Sequence, residues 1–99
     1  MSKKVVLSLE SLADARQAFL WYESKNAGLG EHFLAEVNAC IELIGSNPEL
    51  FEVAHNNYRR VIVRRFPYAI FYKCAEDTVT IGSIFHHSLN PERLRNRLR

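Results

Sequence analysis

The sequence predicts an α+β domain in which a helical hairpin packs on one face of a small, mainly antiparallel sheet. Three observations predict this class. Apolar residues recur at helical spacing in the first half of the chain, whereas β-branched and aromatic runs typical of strands fill the second half. The length of 99 residues suits a single domain, spanning residues 1–99, with one hydrophobic core. The predicted order of elements is βααβββ(α).

The first half contains a short strand followed by a helix. Residues 3–7 predict the strand, and the helix is expected to begin at Ser11, with Asp14 completing a capping box, and to end near Lys25. Four residues at helical spacing are predicted to form its buried face: Leu12, Ala15, Phe19 and Tyr22.

A second helix has the clearest apolar face. The glycines of residues 26–30 predict a turn, so the two helices should run antiparallel, and Asn47-Pro48 should end the second one. Cys40 falls on its apolar side and is expected to be a buried, reduced thiol, which suits a reducing cytoplasm. Five residues are predicted to form the apolar stripe: Phe33, Leu34, Val37, Ile41 and Ile44.

Strands dominate the second half, after a polar loop at residues 52–57. Three strands are predicted in close succession, near residues 58–66, 68–74 and 78–87. Residues 74–77 form the hairpin turn between the last two, and the Gly82-Ser83 pair can form a bulge that reverses the alternation of the last strand. Pro91 is tolerated in a first helical turn and opens a short C-terminal helix or tail.

Charge is unevenly distributed, although the formal net charge is only +2. Four arginines lie within residues 59–65 and four within residues 93–99, which predicts a basic edge suited to a polyanion or an acidic peptide. An ordinary edge strand guarded by charge is the alternative. Strand alternation would place one pair of arginines on each face: Arg59 with Arg65, and Arg60 with Arg64.

No membrane attachment, cofactor or metal is predicted. The longest apolar runs are too short to span a bilayer, and the N-terminus lacks the apolar core of a signal peptide, so a cytoplasmic location is expected. A zinc site is disfavoured because its candidate ligands lack the required spacing: His86, His87, Cys40 and Cys74.

A set of short motifs runs in order along most of the chain. They are Trp21-Tyr22-Glu23, Gly28-Leu29-Gly30-Glu31 with Phe33, Asn47-Pro48, Arg59-Arg60, Val63-Arg64-Arg65-Phe66-Pro67-Tyr68, and then Tyr72, Val79, Ile81, His86 and Asn90-Pro91. From about Leu7 to Pro91 the chain thereby resembles the RelE/ParE toxins. The resemblance implies the toxin of a bacterial type II toxin–antitoxin module, as in plasmid stabilisation, paired with a small cognate antitoxin encoded beside it.

The superfamily contains two mechanisms. RelE-like members are mRNA interferases that cleave message on the ribosome, and ParE-like members inhibit DNA gyrase without nuclease activity. Ribosome-associated cleavage is the first expectation. A gyrase inhibitor, or a degenerate toxin that only binds its antitoxin, is the alternative. Leu89 stands where many relatives have an arginine, which weighs against cleavage.

Chemistry selects the candidate residues for cleavage. Histidine suits proton transfer because imidazole titrates near neutrality, and arginine suits a phosphate because its planar fork donates two hydrogen bonds. Aromatic rings stack on unpaired bases. The predicted catalytic residues, which must converge on one sheet face, are Arg60, Arg64 and His86. The predicted phosphate- and substrate-binding residues are Arg59, Arg65, Tyr68 and Tyr72.

Overall fold

The computed structural model describes residues 3–88 and 91–98 of the chain. The elements follow in the order β1 Lys4–Leu7, α1 Leu9–Lys25, α2 Leu29–Ser46, β2 Val53–His55, β3 Tyr58–Ile62, β4 Tyr68–Ala75, β5 Thr78–His86 and α3 Pro91–Arg97. The described strands form one sheet in the order β1-β5-β4-β3-β2, in which β1 runs parallel to β5 and the other neighbours are antiparallel. The predicted α+β class is confirmed. Leu89, Asn90 and Arg99, which entered the sequence argument, lie outside the described residues.

Helix α1 begins earlier than predicted. Ser8 is its N-cap, and the Ser8 hydroxyl accepts a hydrogen bond from the backbone N–H of Ser11 at 3.1 Å. The prediction that Ser11 starts the helix and forms a capping box with Asp14 is therefore wrong, because Ser8 supplies the same hydroxyl acceptor one turn earlier. The predicted buried face is confirmed in part: Tyr22 is buried and Ala15 packs against the core. Leu12, however, is 49% exposed, and Ser11 and Ala18 are buried instead.

Helix α2 follows α1 after a tight turn. Its N-cap, Gly28, has φ of 89°, a left-handed conformation that favours glycine over any other residue. The predicted apolar stripe is confirmed, with Phe33, Val37 and Ile44 fully or almost fully buried and the other two members partly buried against the same core. Cys40 is buried as predicted, and this burial raises the pKa of its thiol.

The two faces of the sheet carry different apolar clusters. The larger one lies between the sheet and the helical hairpin and includes Phe33 and Ile44 from α2 with Ile70, Tyr72 and Ile81 from the sheet. The smaller one lies on the opposite face, where α3 covers part of the sheet. Its members are Tyr58, Ala69, Phe71, Phe85 and Leu98, with Leu94 packed against them.

The β2–β3 region differs from the prediction. Residues 53–55 of the expected polar loop pair with β3, and β3 ends at Ile62 instead of continuing to residue 66. The hairpin closes early because the Val63 N–H donates to the Tyr68 carbonyl at 2.9 Å, and Pro67 has no N–H with which to extend the ladder. Arg64 and Arg65 therefore lie in a loop, where strand alternation does not apply.

The bulge predicted in β5 is present at Gly82. Phe71 pairs with Ser83 and Tyr72 pairs with Ile81, so Gly82 between them has no partner in β4. A side chain at this position would place its Cβ 2.8 Å from Cε1 of Tyr58. Because of the bulge, Ile81 and Ile84 can both join the larger core although three positions separate them.

In the described part of the chain, no helix combines the length and the apolar character needed to cross a membrane.

Candidate functional site

Two depressions flank the end of β5. The first, here called the Arg60 cavity, has a volume of about 300 Å³ and is lined by Arg60, Ile62, Ala69, Phe71, Phe85, His86, His87, Pro91 and Leu94. The second, here called the Trp21 groove, has a volume of about 430 Å³ and lies between α1, the end of β5 and α3. Its walls are formed by Asp14, Gln17, Ala18, Trp21, Tyr22, Tyr68, Ile84, Phe85, His86, Ser88, Arg93 and Arg97.

Arg60 and His86 both line the Arg60 cavity. Arg60 is exposed on β3 opposite Phe71, and its guanidinium makes no hydrogen bond or ion pair with any residue in the described ranges 3–88 and 91–98. The floor of the cavity is apolar, and none of the described residues in its walls carries a carboxylate. A free guanidinium and two imidazoles above an apolar floor can bind an anion that carries an apolar or aromatic group.

The imidazole of His86 is held in one orientation. Its Nδ1 accepts a hydrogen bond from the backbone N–H of Ser88 at 3.0 Å and lies 2.7 Å from the Ser88 hydroxyl, while its ring packs edge-on against Tyr68 at 5.1 Å between centroids. Because Nδ1 accepts from an N–H, the proton of the neutral ring must reside on Nε2. The ring therefore offers an N–H donor at Nε2.

Arg59 and Tyr72 point away from both depressions and tie down the segment that precedes β2. The Arg59 guanidinium donates to the carbonyls of Glu49 and Phe51. Tyr72 is fully buried, and its hydroxyl donates to the Pro48 carbonyl at 2.7 Å. Burial raises the pKa of Tyr72 to about 12. Both side chains stabilise the fold on the helix side of the sheet.

The remaining predicted residues are dispersed. Arg64 and Arg65 are exposed in the β3–β4 loop, Arg65 with φ of 69°, and neither lines the Arg60 cavity or the Trp21 groove. Tyr68 is half-buried, with its ring centroid 5.1 Å from that of Phe33, and it lines the Trp21 groove beside His86. Of the three residues predicted to be catalytic, Arg60 and His86 line the same cavity, whereas Arg64 does not.

Sequence reasoning missed a polar cluster that joins α1, β5 and α3. The carboxylate of Asp14 accepts the backbone N–H of Ile84 at 3.0 Å and receives both terminal nitrogens of Arg97, at 3.3 and 2.7 Å. Burial of the Asp14 side chain and this fork-shaped pairing explain why the carboxylate is not a helix cap. No local pattern signals this cluster, because Ile84 and Arg97 lie 70 and 83 residues from Asp14 along the chain.

Comparisons with known proteins agree with one another. The family model of the ParE toxin of the type II toxin-antitoxin system parDE matches residues 5–91. Among solved structures, the chain is similar to the chromosomal ParDE TA system from P. aeruginosa, with a TM-score of 0.65 and 13% identity, over 86% of this chain and 96% of that chain. At this identity the structural likeness concerns the fold. A search of curated proteins found no match.

Proposed function

The chain belongs to the ParE toxin family of type II toxin–antitoxin systems, and from that premise we propose that it arrests growth by inhibiting DNA gyrase until an antitoxin encoded beside it binds. The observation that carries the proposal is the family match across residues 5–91. The dispersal of the residues required for mRNA cleavage supports the same choice of target. Arg64 lies in a loop, and the side chains of Arg59 and Tyr72 serve the fold.

The target is tested by measuring both activities of one protein. Expression from an inducible promoter in a bacterial host is expected to stop colony formation, and the purified chain is expected to block supercoiling of relaxed plasmid by gyrase. Primer extension on translated messages should show no new ends. Arrest with intact gyrase activity would contradict the proposal, and absence of arrest would favour a degenerate toxin.

Ribosome-associated mRNA cleavage is the second candidate, and one observation favours it. Arg60, His86 and His87 line a single cavity, so a guanidinium suited to the phosphate and an imidazole suited to proton transfer border the same space. New message ends that vanish in Arg60→Ala and His86→Gln would establish this candidate. Arg64→Ala is the matched control because it removes the same charge outside the cavity, and it should leave such cleavage unchanged.

The antitoxin is proposed to present an acidic segment to the exposed arginines of the β3–β4 region. Arg60, Arg64 and Arg65 are exposed, so their attraction to carboxylates would be screened by salt. We expect isothermal titration with the product of the neighbouring gene to give nanomolar affinity that falls with salt. The double variant Arg64→Ala, Arg65→Ala should bind more weakly and with less salt dependence. Absence of binding would remove the assignment of that partner.

A further inference from the structure

The Trp21 groove has the composition of a ligand site. The nuclease chemistry assigns a role to two of its lining residues, Tyr68 and His86, but none to Trp21 or Arg93. The groove combines aromatic rings, an amide, a hydroxyl and two guanidinium groups in a volume of about 430 Å³. Its location between α1 and α3 is on the opposite side of His86 from the Arg60 cavity. The residues that define it come from distant parts of the chain.

Trp21 supplies an exposed aromatic platform. It is the chain's single tryptophan and is 56% exposed, whereas most of the other aromatic rings are buried in the core. Tyr22 packs against it edge-on at 5.1 Å between centroids, and the Lys25 ammonium lies 5.1 Å from its centroid. These contacts restrain the ring, with the Lys25 ammonium over one face, while the residue stays 56% exposed to solvent.

The groove carries positive charge that no described residue neutralises. Among the described residues that line the groove, Asp14 provides the one carboxylate, and Arg97 already pairs with it at 2.7 Å. Arg93 is exposed and makes no hydrogen bond or ion pair within residues 3–88 and 91–98. An anion that enters the groove would therefore meet a guanidinium that is free to donate two parallel hydrogen bonds.

The basic lining continues beyond the groove on the side of His86, where the Arg60 cavity adds the guanidinium of Arg60. A depression of about 250 Å³ shares Arg93 and Arg97 with it, and the Arg60 cavity shares His86 with it. In the part of the chain that the structure describes, no carboxylate lines either of these two depressions. Repeated cations along such a path match a ligand with repeated anions better than a compact group with one charge.

From this arrangement we propose that the Trp21 groove binds single-stranded nucleic acid, with a base stacked on Trp21 and the adjacent phosphate paired with Arg93. Base stacking on an exposed aromatic ring beside a basic groove is the usual physical basis of single-strand binding. A duplex is disfavoured because the faces of its bases are already stacked on one another. The proposal goes beyond gyrase inhibition and does not depend on it.

The test measures binding by the purified chain without gyrase or ribosomes. Fluorescein-labelled decamers of deoxythymidylate and of uridylate are titrated at low salt, with fluorescence anisotropy as one readout and quenching of Trp21 emission as the second. The two decamers distinguish DNA from RNA. We expect saturable binding, with roughly tenfold weaker affinity in both Trp21→Ala and Arg93→Ala, from the usual size of a stacking or phosphate contact.

Arg95→Ala is the matched control, because it removes the same charge from an exposed position of α3 that lines neither the groove nor its two neighbours. The affinity of Arg95→Ala for the decamers should stay within about twofold of wild type, since the non-specific electrostatic attraction of one exposed charge is weak. Equal losses of oligonucleotide affinity in Arg93→Ala and Arg95→Ala would overturn the proposal in favour of non-specific electrostatic attraction. Quenching by a glutamate–phenylalanine decapeptide but by neither oligonucleotide would overturn it in favour of a peptide site.

Discussion

The two faces of the sheet differ in what they bury and what they expose. On the helix side, residues such as Phe33, Ile44 and Ile81 have no exposed surface. On the opposite side, α3 covers a small cluster around Phe71 and leaves Ile62 half exposed beside the unpaired guanidinium of Arg60. The first face holds the fold together, and the second presents positive charge and cavities at the surface.

This difference shows how one strand can serve both purposes. Successive side chains of a strand point to opposite faces, so Val61 enters the main core while Arg60 and Ile62 on either side of it line the Arg60 cavity. Substitutions on the helix side should therefore change stability, whereas those on the other side should change binding with little effect on stability.

The largest loss of stability is expected from Ile44→Ala. Ile44 is fully buried in the main core, so its truncation should lower the free energy of unfolding by about 2–5 kcal/mol through lost burial and an internal cavity. Ile41→Ala is the matched comparison one turn away, since Ile41 is only partly buried against the same core, and it should cost less. Urea denaturation measures both values. A larger loss for Ile41→Ala would mean that α2 is rotated from its described position.

Asp14→Ala is expected to have the next largest effect, because it breaks the link between α1, β5 and α3. The substitution leaves the Ile84 N–H without its acceptor and removes the partner of Arg97. Loss of a hydrogen-bonded charged group of this kind costs about 1.5–3 kcal/mol. Asp14→Asn keeps a side-chain oxygen for the Ile84 N–H but has no charge to pair with Arg97. Its loss of stability, measured by thermal denaturation, should therefore be smaller than that of Asp14→Ala. Equal stability of wild type and Asp14→Ala would contradict the described cluster.

Local patterns in the sequence predicted the elements, whereas distant contacts decided the site. The stripe from Phe33 to Ile44 was predictable because its spacing alone determines the buried side of α2. The role of Asp14 was not, because its partners Ile84 and Arg97 lie 70 and 83 residues away. Arg60 and Arg64 were expected to share one face of a strand, but Arg64 lies in the loop after β3. The reason is similar, since strand alternation cannot reveal where a hairpin closes.

A smaller effect is expected from Tyr72→Phe, which tests the polar tie on the helix side. Removal of the hydroxyl loses its hydrogen bond to Pro48 and should cost about 1 kcal/mol at neutral pH. Burial raises the pKa of Tyr72 from 10.0 to about 12, so folding favours the neutral phenol. The stability that the neutral Tyr72 phenol contributes is complete below pH 10. It is lost between pH 10 and 12, because the tyrosine ionises first in the unfolded state.

The matching measurement is denaturation at several alkaline pH values. Wild type should lose stability more steeply than Tyr72→Phe as the pH rises above 10. The stability of Tyr72→Phe should also fall at alkaline pH, though less steeply, because burial also raises the pKa values of Tyr22 and Tyr68. Parallel pH profiles for the two proteins would contradict the burial of the Tyr72 hydroxyl.

The smallest effect on stability is expected from Ile62→Ala, which compares the two faces at neighbouring positions. Ile62 is 51% exposed, so its truncation should change the free energy of unfolding by less than about 0.5 kcal/mol. Val61→Ala removes fewer atoms but should cost about 2 kcal/mol, because Val61 is 5% exposed and packs in the main core. Both variants are measured by urea denaturation. A loss in Ile62→Ala as large as that in Val61→Ala would mean that the outer face contributes to the core, and the division between a stabilising face and a binding face would fail.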